Sequence, residues 1–287
     1  MTYSVLLRDP GTGELGVAVQ SHFFAVGSQV PWVEAGVGAV ATQAVVNLEY
    51  GRGGLAAMRQ GLSAAEALAK IRADDPLTDL RQVAMLDAQG GIAVHTGPGC
   101  IGAVGSRQGE NWCVQGNLLD GDAVLDAMAD AAQSGGNLAD RLLAVLEAGH
   151  DAGGDVRGAQ AAALIVAGQV DLRVDDSPHP VAELRRLLAR SRAAARMMAA
   201  IATPGAVLGE PGDSADAALK ALAEAREGLG PANAEPDLWR GVVLARDGRA
   251  EAARTAFAEA IAVHPPIARL LPRLAEAGIL GGHPEKE

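Results

Sequence analysis

The chain has 287 residues, the length of one large domain or of one domain followed by a small one. Hydrophobic residues make up 49% and aromatic residues only 3%, so we expect a large core of small aliphatic side chains. The formal net charge of −11 argues against a nucleic-acid partner, and no apolar run is long enough to cross a bilayer.

The N-terminal segment contains no basic stretch followed by an apolar run, so it predicts no signal peptide and a cytoplasmic protein. Cys100 and Cys113 do not have CxxC spacing, and we expect two reduced thiols rather than a disulfide or a metal pair. We expect no cofactor and no metal.

The chain begins with a predicted β-hairpin. Residues 2–7 and 15–19 are apolar, and the turn-forming sequence Asp9-Pro-Gly-Thr-Gly13 separates them. Ser63-Ala-Ala-Glu66 is a capping box, which predicts that a helix starts there. In chain order, we expect further strands over 37–43, 82–87, 92–95, 112–115, 161–166 and 170–174, and helices over 52–58, 63–73, 122–132, 138–148 and from Pro180 to about 200.

The order of these elements predicts the fold class. Strands and helices come in groups rather than in strict alternation, which favours antiparallel sheets with helices on the outside over a doubly wound parallel sheet. The sequence therefore predicts an α+β domain in this part of the chain.

The C-terminal part is predicted to be helical. Residues 203–212 are rich in Pro, Gly and small residues, as is typical of a linker. Trp239, Leu244, Gly248, Phe257 and Pro265 have the spacing of one tetratricopeptide unit, which is a pair of helices. Helices are also expected over 215–226 and 267–277.

Thr2 is the strongest candidate for a catalytic residue. Removal of Met1 would leave Thr2 with a hydroxyl and a free α-amine, whose reference pKa of about 7.7–8.0 lets it accept the hydroxyl proton. One residue would then supply both the nucleophile and the base. The alternative is an ordinary threonine at the start of a strand.

Several segments extend this hypothesis by resemblance to a known family. The chain resembles the DUF1028 family, placed in the N-terminal-nucleophile (Ntn) hydrolase superfamily, from residue 2 to about residue 190. The resemblance lies in residues 2–19, 21–32, 35–43, 93–97, 114–119, 152–158 and 171–176, among them Ser21-His-Phe-Phe, Gln115-Gly-Asn117 and Gly154-Asp-Val-Arg-Gly158. The C-terminal part is similar to a region that some members carry, described as peptidoglycan-binding.

This resemblance implies a four-layer αββα sandwich with the nucleophile at the start of its first strand. It also implies hydrolysis of an amide bond, but no particular substrate. We therefore expect an Ntn-hydrolase-like domain over residues 1–202, a linker over 203–212 and a small all-α, tetratricopeptide-like tail over 213–287.

Supporting site residues are predicted around Thr2, each with a structural alternative. Asn117 is an expected oxyanion donor, or else it caps a turn. Ser21 and His22, at the end of the second strand, would contact the Thr2 amine or the substrate, although His22 also fits an exposed surface position. Thr42 and Gln43 would line the same cleft, or form only strand-end hydrogen bonds.

Charged residues near a glycine-rich loop give further alternatives. Asp155 and Arg157 would form a structural ion pair, or Arg157 would bind a substrate carboxylate. His95 is expected to be a hydrogen-bonded core histidine. A group of aspartates would suit a hard cation, or would cap strands and helices: Asp151, Asp155, Asp171, Asp175 and Asp176.

The sequence therefore predicts an amidohydrolase that acts on a small amide or a peptide, with Thr2 and Asn117 as catalytic residues. The alternative is a non-catalytic scaffold of the same fold whose helical tail binds a peptide or a cell-wall fragment. We expect no nucleic-acid or membrane partner. Self-association, and a protein or glycan partner for the tail, remain open.

Overall fold

The computed structural model describes residues 2–207 and 215–280. The chain divides into two compact units, Met1–Leu187 and Leu188–Glu287. The strands are β1 (Thr2–Arg8), β2 (Leu15–Ser21), β3 (Pro31–Glu34), β4 (Gly38–Ala44), β5 (Arg81–Asp87), β6 (Ile92–Thr96), β7 (Gly105–Gly109), β8 (Trp112–Asn117), β9 (Ala161–Val166) and β10 (Val170–Val174). The α-helices are α1 (Glu49–Arg59), α2 (Ala64–Ala73), α3 (Ala123–Ala132), α4 (Leu138–Asp151), α5 (Pro180–Ala202), α6 (Ala215–Leu229), α7 (Glu235–Arg246), α8 (Ala250–Val263) and α9 (Leu271–Glu276).

Two antiparallel sheets form the centre of the first unit. The six-stranded sheet has the order β10-β9-β2-β1-β8-β7, and the four-stranded sheet has the order β3-β4-β5-β6. The predicted antiparallel sheets and the first hairpin are confirmed, because β1 pairs with β2 and places Thr2 opposite Ser21. On its other side β1 pairs with β8, which places Thr2 opposite Asn117. The first strand is therefore an inner strand, with a neighbour on each side.

Helices pack on the outer face of each sheet. α3 and α4 contact the six-stranded sheet, whereas α1 and α2 contact the four-stranded sheet. The inner faces of the sheets contact each other, and apolar residues such as Leu6, Val17, Ala39 and Leu86 fill the space between them. The unit thus combines antiparallel sheets with helices that contact them, as the α+β prediction requires.

Alternation along β1 decides which side chains reach the other sheet. Successive residues of a strand point to opposite faces. Leu6 packs in the core between the sheets, and Ser4 donates a hydrogen bond to Gln43 of β4. The hydroxyl of Tyr3 instead donates to the carbonyl of Leu146 in α4. Thr2, which shares its face with Ser4 and Leu6, therefore lies on the face that meets the second sheet.

The predicted capping box at the start of α2 is present. Ser63 accepts from the backbone N–H of Glu66, and the Glu66 carboxylate accepts from the backbone N–H of Ser63 at 2.8 Å. These bonds satisfy helix-end donors that have no partner within the helix. The carboxylate of Asp87, at the end of β5, accepts from the N–H of Ala64 and ties the helix start to the sheet.

The second unit is helical in its described part. α7 and α8 pack against each other where the sequence predicts a helix pair. A Cβ at Gly241 of α7 would overlap the ring of Phe257 in α8, so glycine allows the close approach of the two helices. The predicted linker is described only through residue 207, and residues 208–212 lie outside the described part of the chain.

The division into units falls at a different place from the predicted linker. It lies between Leu187 and Leu188, inside α5, and the first two turns of this helix carry the buried residues Val181 and Leu184. The C-terminal half of α5 contributes Ala193, Met197 and Ala200 to the core of the second unit. One helix thus belongs to both units.

Candidate functional site

Thr2 is a buried residue whose side chain and backbone both form hydrogen bonds. Only 7% of its surface is exposed. Its Oγ1 lies 3.0 Å from Oγ of Ser21, directly opposite on β2, and its carbonyl oxygen accepts from Nε2 of Gln43 at 3.1 Å. These bonds fix both the hydroxyl and the backbone of Thr2.

The side chains around Thr2 form a polar cluster between the two sheets. We define it as Thr2, Ser4, Gln43, Gln82, Gln115 and Asn117, all of them buried. Gln82 of β5 is its centre, because its Oε1 accepts from Asn117 Nδ2 at 2.9 Å and from Gln43 Nε2 at 2.9 Å. The Gln82 amide nitrogen donates to the carbonyl of Gly116 at 2.9 Å. The cluster therefore joins β1, β4, β5 and β8 by hydrogen bonds.

Two strained residues follow members of this cluster. Leu118 comes directly after Asn117 and has a φ of 54°, and Ala44 comes directly after Gln43 and has a φ of 67°. Side chains other than glycine rarely adopt this left-handed conformation, which costs of order 1–3 kcal/mol and tends to occur at functional sites. Both residues therefore adjoin members of the polar cluster that contains Thr2.

Asp155 holds the end of β2 from the adjacent loop. Its buried carboxylate accepts from the backbone N–H of His22 and that of Arg157, each at 2.9 Å. It also forms an ion pair with Arg157, with Nη2 and Oδ2 3.2 Å apart. The structure thus contains the ion pair that the sequence analysis named as one alternative. Binding of a substrate carboxylate by Arg157 remains a prediction.

The structure brings together some of the residues predicted for the site and separates others. Thr2, Ser21, Gln43 and Asn117 are neighbours, and Asn117 is the last residue of β8 rather than a residue beyond it. His22 is exposed next to Ser21.

Thr42 does not reach this cluster. It precedes Gln43 on β4, so its side chain lies on the opposite face, where its hydroxyl donates to the carbonyl of Asn47 at 3.2 Å. His95 is hydrogen-bonded as predicted, because its Nε2 lies 2.8 Å from the carbonyl and 3.2 Å from the hydroxyl of Thr78, but it is only partly buried and is not a core residue.

Three polar members of the cluster were not predicted from the sequence: Ser4, Gln82 and Gln115. Each occurs at an inward-facing position of an otherwise apolar strand, as in Gln82-Val-Ala-Met-Leu86. A polar residue at a position that the alternation assigns to the core is the signal that could have identified them, because such a side chain needs a buried hydrogen-bond partner.

Burial raises the pKa of two groups near β1. Desolvation raises the pKa of the Tyr3 hydroxyl well above its usual range, and it raises the pKa of the Cys113 thiol to about 12. Both groups are therefore neutral at physiological pH, and both cysteines are free in the structure. Neither group can act as an anionic nucleophile.

The predicted cation alternative for the aspartates has no geometric support in residues 2–207 and 215–280. No group of three or more His, Cys, Asp or Glu side chains in these ranges is placed to hold a metal ion. Asp171 pairs with Arg173, and Asp176 accepts from Gln160. Within the same ranges, no helix has the length and apolar character of a membrane span.

Comparison with known families covers most of the first unit. Residues 2–184 match the family described as a family of unknown function, DUF1028. The chain belongs to the DUF1028 family. The match includes Thr2, Ser21, Gln43, Asn117 and the other members of the polar cluster, so the cluster lies within the region that defines a DUF1028 protein.

A solved structure supports this membership. The fold of this DUF1028 chain is similar to the crystal structure of protein SPO2555 from Silicibacter pomeroyi, which is described by the same family, with a TM-score of 0.62 and 31% sequence identity. The similarity covers 65% of this chain and 84% of that one. None of the curated proteins compared with the DUF1028 chain matches it.

Proposed function

We propose that this DUF1028 protein hydrolyses an amide bond with Thr2 as an N-terminal nucleophile. In this proposal the two facing sheets and the helices outside them are the αββα sandwich of an Ntn hydrolase. The observation that carries the proposal is the fixed position of Thr2. It begins an inner strand, and its hydroxyl lies 3.0 Å from a second hydroxyl, on Ser21.

The reaction begins once Met1 has been removed. The free α-amine of Thr2 accepts the proton of Oγ1 as this oxygen attacks the substrate carbonyl. The tetrahedral intermediate collapses, the C–N bond breaks, and the leaving amine takes the proton from the α-amine. Water then attacks the acyl-enzyme ester, and the carboxylic acid leaves as Oγ1 regains a proton.

Two neighbours would assist this chemistry. Ser21 Oγ holds the Thr2 hydroxyl in one orientation. Asn117 Nδ2 donates one hydrogen to Gln82, and because a primary amide carries two N–H groups, the second is the proposed donor to the oxyanion. The left-handed backbone at Leu118 would fix the position of Asn117 for this role.

Labelling with an alkyl β-lactone tests the proposal. A hydroxyl nucleophile opens the lactone ring and keeps the whole reagent as an ester, which mass spectrometry detects. We expect one adduct per chain, located on Thr2. Thr2→Ser keeps the hydroxyl and should retain labelling, whereas Thr2→Val keeps the branched side chain, removes the nucleophile and should lower labelling at least a hundredfold.

Thr12→Val is the matched control, because Thr12 is an exposed threonine in the turn between β1 and β2. It should be labelled like the unsubstituted chain. Equal labelling of the Thr2→Val variant, or an adduct on another residue, would contradict the mechanism. Either result would leave the alternative that the protein is a non-catalytic binding scaffold of the same fold.

We also infer that α7 and α8 form one tetratricopeptide-like pair. The close approach at Gly241 and Phe257 supports this, because a small residue facing an aromatic ring lets the two helices interlock. One such pair is too short to form a solenoid, so it must pack on neighbouring helices. Trp239 and Phe257, both partly buried, pack against the hydrophobic core of the second unit.

A further inference from the structure

Large apolar side chains are exposed at one end of the two sheets. In the described part of the first unit, the exposed large hydrophobic residues all belong to segments at the end where Thr2 lies. They are Phe23, Phe24, Val45, Leu77, Leu80, Ile101 and Val156. The turns at the opposite end, which join β1 to β2, β3 to β4 and β5 to β6, contain no such residue. The exposed large hydrophobic residues described in the first unit are therefore concentrated at the end of the sheets where Thr2 lies.

Some of these residues lie close to the polar cluster, either through backbone hydrogen bonds or in the sequence. Leu118, next to Asn117, donates to the carbonyl of Ile101 at 3.0 Å and accepts from the N–H of Val156 at 3.4 Å. Phe23 is two residues beyond Ser21, and Val45 is two residues beyond Gln43. We call Phe23, Phe24, Val45, Ile101 and Val156 the apolar collar. Its members lie within three residues of a cluster member or of Ser21, or are hydrogen-bonded to Leu118, the residue after Asn117.

Two ion pairs within the protein lie close to the collar. Asp155 and Arg157 form one ion pair, and Asp75 and Arg81 form another, with Oδ2 and Nε 2.8 Å apart. Arg81 also donates to the carbonyl of Val45, at 2.7 Å. At these two pairs a charged substrate group would compete with existing partners, whereas at the collar residues an apolar group would meet exposed carbon surface.

We propose that the apolar collar binds an apolar group, an alkyl chain or an aromatic ring, on the acyl side of the amide that Thr2 attacks. This inference rests on the proposed function. A few polar groups surrounded by apolar surface are the usual composition of a small-molecule site. Exposed apolar residues concentrated in one place mark a binding surface, whereas scattered ones do not. Ile101 is 65% exposed and Val156 is 61% exposed, so both have surface for a ligand to cover.

A chain-length series of β-lactones tests the inference on the full-length protein. The alkyl substituent has one, four or eight carbons, and the measured quantity is the rate constant for labelling of Thr2. Full burial of one methylene group of the probe corresponds to about a fourfold gain in binding affinity, and hence in the labelling rate constant at low probe concentration. Because the collar is open to solvent, we expect the eight-carbon probe to react at least tenfold faster than the one-carbon probe.

Variants in the collar should lower this ratio. Phe24→Ser and Ile101→Ser should each reduce the eight-to-one-carbon ratio at least threefold. Met198→Ser, which removes an exposed apolar side chain in the second unit, should leave the ratio unchanged. A ratio near one in the unsubstituted chain would overturn the inference and leave the proposed function intact.

Two further outcomes are distinguished by separate measurements. If no probe labels Thr2, the proposed function fails. Fluorescence titration with an unreactive octanoyl amide dye then decides the collar's role: binding that Phe24→Ser weakens at least threefold supports the collar, and absence of binding overturns it. If sedimentation shows a dimer that Phe24→Ser and Ile101→Ser make monomeric, the collar is an interface between two copies, and the inference is overturned.

Discussion

At the scale of single residues, Gln82 determines the arrangement around Thr2. Its oxygen accepts from Asn117 and Gln43, and its nitrogen donates to the carbonyl of Gly116, so one side chain connects the two sheets next to the proposed nucleophile. Gln82 is fully buried. If its amide is replaced by an apolar group and the surrounding structure does not change, no water reaches the groups that were bonded to it.

Replacing Gln82 by leucine tests this connection. Gln82→Leu keeps a similar volume but deprives two buried amide groups of their acceptor, and each such group costs about 1–3 kcal/mol. We expect a loss of about 2–4 kcal/mol in the free energy of unfolding, measured in urea, together with slower labelling of Thr2. Gln108→Leu, at an exposed position of β7, is the control and should change stability by less than about 0.5 kcal/mol. Similar effects of the two substitutions would contradict this role for Gln82.

A second buried residue, Asp75, stabilises the segment that follows β4. The pKa of its carboxyl is held well below its usual value of 3.8, chiefly by the hydrogen bond from Arg81. Arg81 in turn donates to the carbonyl of Val45. Both side chains of the pair are almost fully buried, so loss of one partner leaves a buried charge uncompensated.

We therefore expect Asp75→Asn to lower the free energy of unfolding by about 3–5 kcal/mol at pH 7. The pair is stabilising only while the carboxyl is ionised in the folded state. The difference from the unsubstituted chain should shrink as the pH falls below 3.8 toward the lowered pKa of the folded state. Urea unfolding at several pH values measures this. Asp126→Asn, in a solvent-exposed pair with Arg107, should cost less than about 1 kcal/mol, and an equal cost there would refute the argument.

At the scale of secondary-structure elements, the sequence predicts the inner strands and the helices better than the edges of the sheets. The predicted hairpins are present because clear turn sequences separate apolar runs, as at Asp9-Pro-Gly-Thr-Gly13. The strands β3 and β7 were not predicted, and both are edge strands. Pro31 starts β3, which an edge position tolerates, and β7 has the sequence Gly-Ser-Arg-Gln-Gly, without an apolar residue. Pairing with β8, rather than local propensity, makes the β7 segment a strand.

The packing of α7 against α8 gives a prediction at the same scale. A methyl group at position 241 would overlap the ring of Phe257, so Gly241→Ala should destabilise the second unit by about 1–3 kcal/mol despite the higher helix propensity of alanine. Thermal unfolding measures the loss, and adding Phe257→Leu should restore part of it. Gly135→Ala, where an added Cβ has no neighbour within 4 Å, should be neutral. Higher stability of Gly241→Ala would show that these helices do not pack closely.

At the scale of the whole molecule, every residue of the polar cluster belongs to the first unit, inside the DUF1028 region. The sequence predicted Thr2, Ser21, Gln43 and Asn117 as neighbours because they occur at strand ends that a hairpin and an antiparallel sheet bring together. It did not exclude Thr42, although adjacent residues of one strand cannot both face the same cluster. Nor did it identify Gln82, because its inward-facing position in an apolar strand indicates a buried polar residue but does not show that this residue lies next to Thr2.

The mass of the intact, purified full-length protein tests the central claim most directly. The account predicts the mass of a chain that lacks Met1 and therefore begins with a free amine on Thr2. Peptide sequencing of the N-terminal fragment should confirm Thr2 as the first residue. The contrary result would be a protein in which every molecule retains Met1 and which nevertheless hydrolyses an amide or reacts with the lactone at Thr2. This result would contradict the role of the α-amine as the base.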